Sequence, residues 1–211
     1  MIAQWKVSPW KILSAGEIRD VLVELKRKSK RSTNTRTNLV IFRLATCCVL
    51  RVSEISGLKM RDIRLNEKKP HIRLPKTLTK RKKERRVPLW WDGGTLADIE
   101  SWKAERNNQG AKVGDYFVCS QHKDTLENQL DRFNIRHRFR VSCKILGEER
   151  VERLTVHDGR HSFISHALAK GRTLAEVRDA AGHANISTTS GYLHIAVDDN
   201  GTVGHIFGMD G

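Results

Sequence analysis

Apolar positions along this 211-residue chain follow two different periods, and the period changes with position. Ile18, Val21, Leu22 and Leu25 recur at helical spacing behind Ser14, with Glu17 three residues beyond the serine, so a capping box opens an amphipathic helix over 15–28. The next stretch, 35–50, is apolar on more than one face, which predicts a buried helix. Residues 53–58 read as a short helical turn stopped near Gly57. Between 62 and 89 the period drops to two. Ile63/Leu65, Ile72/Leu74 and Val87/Leu89 alternate with charged residues and predict three short antiparallel strands, with Pro75 and Pro88 at edge or terminal positions. Helical spacing returns over 95–107, a loop follows at 110–114, residues 116–118 form a short buried segment, and 125–139 is helical again. In the last third Thr155 caps a helix that runs to Lys170 and ends at Gly171. Thr173 and Glu176 form another capping box for a short helix stopped at Gly182, and 187–196 is a final helix before a glycine-rich tail. The chain reads as one mainly α domain with a small antiparallel three-stranded sheet (α+β).

Composition narrows the function. Lys and Arg number 39 against 24 Asp and Glu, which leaves a formal charge of +15 and a pI near 10.1. Apolar clusters interrupt the basic stretches throughout, unlike a disordered polycation. A basic excess of this size fits a polyanionic partner, because neutralising phosphates releases counterions. A solvated basic surface is the plain alternative, and ribosomal-type binders, polymerase accessories and DNA-processing enzymes all fit the balance. No apolar run approaches the ~20 residues needed to span a bilayer, and Lys6, Pro9 and Lys11 break up any signal-peptide core. Cys47, Cys48, Cys119 and Cys143 have no C-x-x-C spacing, which suits reduced thiols in the cytoplasm. A secreted, membrane-embedded or disulfide-stapled protein does not fit this pattern.

Four constellations carry candidate chemistry. Residues 76–86, KTLTKRKKERR, place seven Lys or Arg among eleven positions between two predicted strands, so a basic hairpin could lie along a phosphate backbone. An ordinary charge run would be a solvated turn. In His157-Asp158-Gly159-Arg160-His161, positions i and i+3 share a helix face, so His157 and Arg160 can reach one phosphate. The i, i+4 pair His157 and His161 raises a zinc site, but Asp158 stands where H-E-x-x-H needs glutamate and no third ligand is spaced for it, so no metal is expected. A buried, hydrogen-bonded role suits His161 better. Gly182-His183 precedes Tyr192, one of only two tyrosines, which lies in an unusually small and polar setting. Arg51, at the end of an apolar stretch, needs an anion, either Glu54 or a substrate phosphate.

Taken in order, RVSEISGLKMRDI, TKRKKERRVPL, HDGRHSFISHAL and GHANISTTSGY resemble the catalytic domain of the tyrosine recombinase (phage integrase) family from about Leu13 to Tyr192. The resemblance implies that family's catalytic-domain fold and a transesterification on double-stranded DNA through a covalent 3′-phosphotyrosyl intermediate, with no metal, ATP or other cofactor. It implies that Arg51 and Arg160 are the catalytic arginines, His157 and His183 the active-site histidines, and Tyr192 the nucleophile, with Glu54 bracing the site and His161 supporting it. Read back from Val87-Pro88-Leu89 without gaps, the family's hairpin lysine falls on Lys80, with Lys76 as the alternative. Lys76, Arg81, Lys82, Lys83, Arg85 and Arg86 would meet DNA along the hairpin. The implied assembly is a homotetramer on DNA, a monomer away from it, with no membrane. The implied layout is a leader at 1–12, the catalytic domain at 13–196 and a tail at 197–211, with the family's N-terminal core-binding domain absent. Two other readings stand beside this one. A type IB topoisomerase uses a similar Arg/Lys/Arg/His/Tyr set, and the short front would also suit a catalytically silent DNA-binding module.

Overall fold

The computed structural model describes residues 8–122, 125 and 128–193. Its elements run α1 (Ala15–Ser29), α2 (Thr33–Thr46), α3 (Val52–Gly57), β1 (Ile63–Arg64), β2 (His71–Leu74), β3 (Arg85–Pro88), α4 (Gly93–Asn108), α5 (Arg132–Ser142), α6 (Glu148–Arg153), α7 (Val156–Ala169), α8 (Leu174–Ala181) and α9 (Ile186–Ser190). The expected mainly helical fold with a three-stranded antiparallel sheet is what forms.

α2 is the hub. Every residue from Thr37 to Thr46 is buried, and α1, α4, α5 and α7 pack around it, which is why its sequence shows no polar face. Phe42 of α2 stacks on Phe139 of α5, with ring centroids 5.8 Å apart. The caps form as their residues imply. Ser14 Oγ accepts from the Glu17 N–H at 3.1 Å while the Glu17 carboxylate accepts from the Ser14 N–H at 2.7 Å. Thr173 and Glu176 do the same at α8, and Asp158 accepts from both the N–H and the hydroxyl of Thr155 at α7.

The boundaries differ from expectation where a tertiary contact intervenes. α2 stops at Thr46 rather than running to 50, and the chain reverses through Val49 at φ 55. A β-branched residue in the left-handed region is strained. This one is held by the Arg160 guanidinium, whose Nη1 donates to the Val49 carbonyl at 2.6 Å. α5 begins at Arg132, not 125, because Asp131 caps it by accepting from the Asn134 N–H at 2.7 Å. α6 has no counterpart in the periodicity. Its Arg150 clasps Glu17 at 2.6 Å and donates to the carbonyls of Trp10 and Ile12, so a short polar helix fastens the start of α1. α9 covers Ile186–Ser190, and residues 194–211, with the end of the helix expected at 187–196, lie outside the described residues.

The sheet order is β1-β2-β3, with Ile63 opposite Ile72, Ile72 opposite Val87 and Leu74 opposite Arg85. One face, built from Ile63, Ile72, Leu74 and Val87, is buried. Between β2 and β3 the basic hairpin extends outward, anchored by Leu78, which packs over Gly57 at the end of α3.

α7 crosses α2 at Gly159, where a Cβ would stand 2.8 Å from Thr46 Oγ1 and 3.3 Å from the Ala45 carbonyl carbon. Because part of that obstacle is helix backbone, Gly159→Ala is expected to destabilise the fold by about 1–3 kcal/mol. The measurement is urea unfolding, which should show a lower midpoint at constant slope. An unchanged midpoint would mean that the two helices separate without cost.

Candidate active site

Arg51 stands at the N-terminus of α3, and one carboxylate holds it twice. Its main-chain N–H donates to Glu54 Oε2 at 2.7 Å and its Nη1 to Oε1 at 2.9 Å. The Glu54 side chain is 0 % exposed and that of Arg51 27 %. Of the two anions the sequence offered Arg51, the folded chain supplies Glu54. Arg160 lies beneath on α7, 2 % exposed, with Nη1 on the Val49 carbonyl and Nη2 on the Ala181 carbonyl, both at 2.6 Å. Burial, followed by the nearby charges of Arg51 and Arg85, pushes the Arg160 guanidinium down to about 9, still protonated at neutral pH.

His183 follows directly on Gly182, the left-handed cap of α8, and its Nδ1 shares a 3.0 Å hydrogen bond with the Thr189 hydroxyl. Burial and the cations Arg160, Arg51 and Arg85 pull it to about 3, so it is neutral. Arg51 and His183 line a cleft of about 620 Å³ closed on its other side by the hairpin, with Lys80, Arg81, Lys83 and Arg86 on its wall. Lys80 lines this cleft and Lys76 does not; Lys76 and Lys82 are exposed elsewhere on the hairpin. Arg178 of α8, which the motifs did not single out, also lines it. The acidic groups on the rim are already engaged, Glu84 with Arg73 and Asp179 with Arg178.

Arg85 departs from the expectation of a DNA-facing hairpin residue. Its side chain is 8 % exposed, its Nη2 meets Glu54 Oε2 at 2.7 Å, and its Nη1 donates to the Ala180 carbonyl. The reason is strand phase: Arg85 lies two residues before buried Val87 and opposite buried Leu74, so the pleat turns it inward.

His157 lines a separate cavity of about 390 Å³ on the far side of Arg51, together with Arg136 and Thr155. Burial and Arg160 lower its pKa below the ordinary histidine value. One turn on, His161 is buried as expected; its ring packs edge-on against His157 at 4.5 Å between centroids, and its Nδ1 shares a hydrogen bond with the Tyr192 hydroxyl at 2.5 Å. Burial and His157 lower His161 to about 3, while burial raises Tyr192 to about 12 against the pull of Arg160. Tyr192 is 2 % exposed, so its phenol rests on His161 and not on the wall of the Arg51–His183 cleft, despite its polar sequence neighbours.

Beside the His157 cavity, α5 presents Arg132, Arg136, His137 and Arg140 outward together with an exposed Phe133. The signal was present in RFNIRHRFR, where only Ile135 and Phe139 follow the inward spacing to a buried position, but a charge pattern inside a helix is legible only once its outer face is known.

In fold the chain is similar to the crystal structure of XerA recombinase (TM-score 0.69, 21 % identity, covering 94 % of this chain and 63 % of that one). It is similar as well to XerH site-specific recombinase bound to palindromic difH substrate in a post-cleavage complex (TM-score 0.68, 22 % identity, 89 % and 50 %). The architecture is that of the tyrosine recombinase catalytic domain. In sequence it is 31 % identical over 175 residues to a tyrosine recombinase of Pseudothermotoga lettingae, covering 82 % of this chain and 54 % of that protein. It is 33 % identical over 147 residues to tyrosine recombinase XerD of Listeria monocytogenes, covering 69 % and 46 %. The model of the phage integrase family matches residues 12–198, and the chain belongs to that family. It spans about half the length of the curated relatives it matches. No helix among the described residues is long and apolar enough to cross a membrane.

Because His161 and His183 titrate near 3 when folded, against an ordinary 6.5, the unfolded chain binds more protons between those values. Stability therefore rises with pH through that window and is lost as pH falls below 6.5. His183→Asn is expected to flatten the slope of unfolding free energy against pH there by up to one proton, measured by denaturant unfolding across the window. An unchanged slope would show that His183 titrates as a solvated side chain.

Proposed function

We propose that this chain is the strand-transferring part of a site-specific DNA recombinase, which cuts and rejoins double-stranded DNA through a 3′-phosphotyrosyl link to Tyr192. The observation that carries this reading is the surplus of positive charge at one cleft. Arg51, Arg85 and Arg160 crowd around a single buried carboxylate, Glu54, with neutral His183 beside them and hairpin cations overhead. Such an arrangement lacks an anion, and a phosphodiester supplies one. Two planar guanidiniums match the charge that builds on the non-bridging oxygens during phosphoryl transfer, and they do so without reorganising.

In the reaction the Tyr192 oxygen attacks phosphorus, a P–O(Tyr) bond forms and the P–O5′ bond breaks. The phenolic proton passes to His157, neutral at physiological pH because burial and Arg160 lower its pKa. Lys80 gives a proton to the departing 5′-oxygen. A 5′-hydroxyl from another strand reverses these steps, so the phosphodiester energy is conserved. Tyr192 begins buried against His161, and that burial keeps the phenol protonated, so the chain around α9 has to carry it toward the cleft before attack. Residues 13–196 are the catalytic unit in this reading, working in the cytoplasm with four copies on paired duplexes.

Two experiments test it. With a pool of nicked duplexes that lose the 5′-fragment on cleavage, wild type is expected to form a denaturation-resistant protein–DNA adduct, and Tyr192→Phe none at similar DNA affinity. An adduct surviving in the variant moves the nucleophile elsewhere, and no adduct from a wild type that binds DNA favours a silent binder. In the second, joint replacement of Lys80, Arg81 and Lys83 by Gln should lower the slope of log K against log salt by about 0.9 for each phosphate that is no longer neutralised. Arg136→Gln with Arg140→Gln should do likewise if the outer face of α5 also lies on DNA. A slope that neither set changes would place DNA on another surface.

A further inference from the structure

Arg85 belongs by sequence to the basic hairpin and by structure to the interior. Its guanidinium bridges two elements that are far apart in the chain, the Glu54 carboxylate on α3 and the Ala180 carbonyl at the end of α8. The next carbonyl, Ala181, takes Arg160. Two buried guanidiniums thus occupy successive carbonyls at the negative end of α8, with Gly182 between them and His183. Room for Arg85 is made at Gly182, where a Cβ would stand 2.7 Å from Arg85 Cδ and 2.9 Å from its Nε. The seat is tight, and Nε is buried in it with no hydrogen-bond partner among the described residues.

Charge counting shows what the bridge does. Glu54 is fully buried, and its two oxygens are divided between Arg51 and Arg85. With one cation, the carboxylate and Arg51 would form a neutral pair. With two, the trio carries a net positive charge, and its partly exposed member, Arg51, stands at the wall of the cleft. We propose that Arg85 is a positioning residue that keeps Arg51 available to the scissile phosphate, by sharing the Glu54 carboxylate and by tying that shared carboxylate to the helix end that presents His183. The proposal rests on the strand-transfer reading for its reaction and on the Arg51–Glu54–Arg85 geometry for its physics. Gly182 is favoured already by its left-handed φ of 64, and its missing side chain leaves room for the Arg85 stem.

The test compares the full wild-type chain with Arg85→Met and Arg85→Lys. Single-turnover cleavage of nicked duplex gives the rate constant, and DNA affinity is measured separately. Arg85→Met is expected to slow cleavage by about 10–100-fold, as loss of a supporting partner does at other active sites, with DNA affinity little changed. Arg85→Lys, which keeps the charge but cannot span both Glu54 and Ala180, should fall between, and it carries the comparison if Arg85→Met does not fold. Cleavage by Arg85→Met at the wild-type rate overturns the proposal. So does a loss in which rate, affinity and melting temperature fall together without rescue by lysine, since that marks a purely structural strut. A second readout needs no catalysis: titration with inorganic phosphate, followed by NMR on the Arg51 Nε–H signal. Weaker phosphate binding to Arg51 in Arg85→Met supports the proposal, and unchanged binding overturns it. If wild type cleaves no duplex, the recombinase reading falls alone and the phosphate titration still decides the role of Arg85.

Discussion

A guanidinium withdrawn from water has to find acceptors, and the way Arg160 finds them organises this molecule. It reaches in one direction to the carbonyl of Val49, in the reversal after α2, and in the other to the carbonyl of Ala181, at the end of α8. Each acceptor is a backbone group that regular structure leaves unpaired. The strained turn at Val49 and the end of α8 are thereby held to the same side chain of α7. Arg51 follows the first and His183 the second, so the separation between the groups that face the cleft is set by the span of one buried arginine.

Burying that charge among others has an electrostatic cost, visible in the depressed pKa values of Arg160 and His183. Glu54 offsets it from within, and one carboxylate cannot neutralise three guanidiniums. A site whose donors are already held in place but whose charge is unbalanced is pre-organised for an anion, because binding relieves the repulsion without moving the donors. Burial together with the same imbalance keeps His183 neutral, so that it can contribute a hydrogen bond rather than another full charge.

The nucleophile candidate is organised on the opposite principle. Tyr192 is buried against His161 with its pKa raised, which makes the phenol both protonated and inaccessible in this conformation. In the proposed reaction the anion-binding groups are assembled in advance while the tyrosine is withheld, and the short α9 that follows His183 is the joint between the two. On that proposal reactivity depends on moving a few residues, not on building the site.

Much of this was legible along the chain. Ser14 with Glu17 and Thr173 with Glu176 mark helix starts because capping is local chemistry, and the alternation around Ile72 and Val87 marks strands because a pleat has period two. The four motifs likewise identify the family from residue identity and order alone. What sequence could not supply depends on non-local partners. α2 ends early because Arg160, far along the chain, holds Val49 in a left-handed turn. Tyr192 is buried because α7 passes beneath it, although its neighbours are small and polar. Arg85 lies between these cases. Its phase with Val87 already turned it inward, but the density of charge around it hid that signal, and nothing local named Glu54 and Ala180 as its partners. Caps, periods and motifs are determined by residues within a few positions of each other, whereas which charge meets which carboxylate is decided only when distant segments fold together.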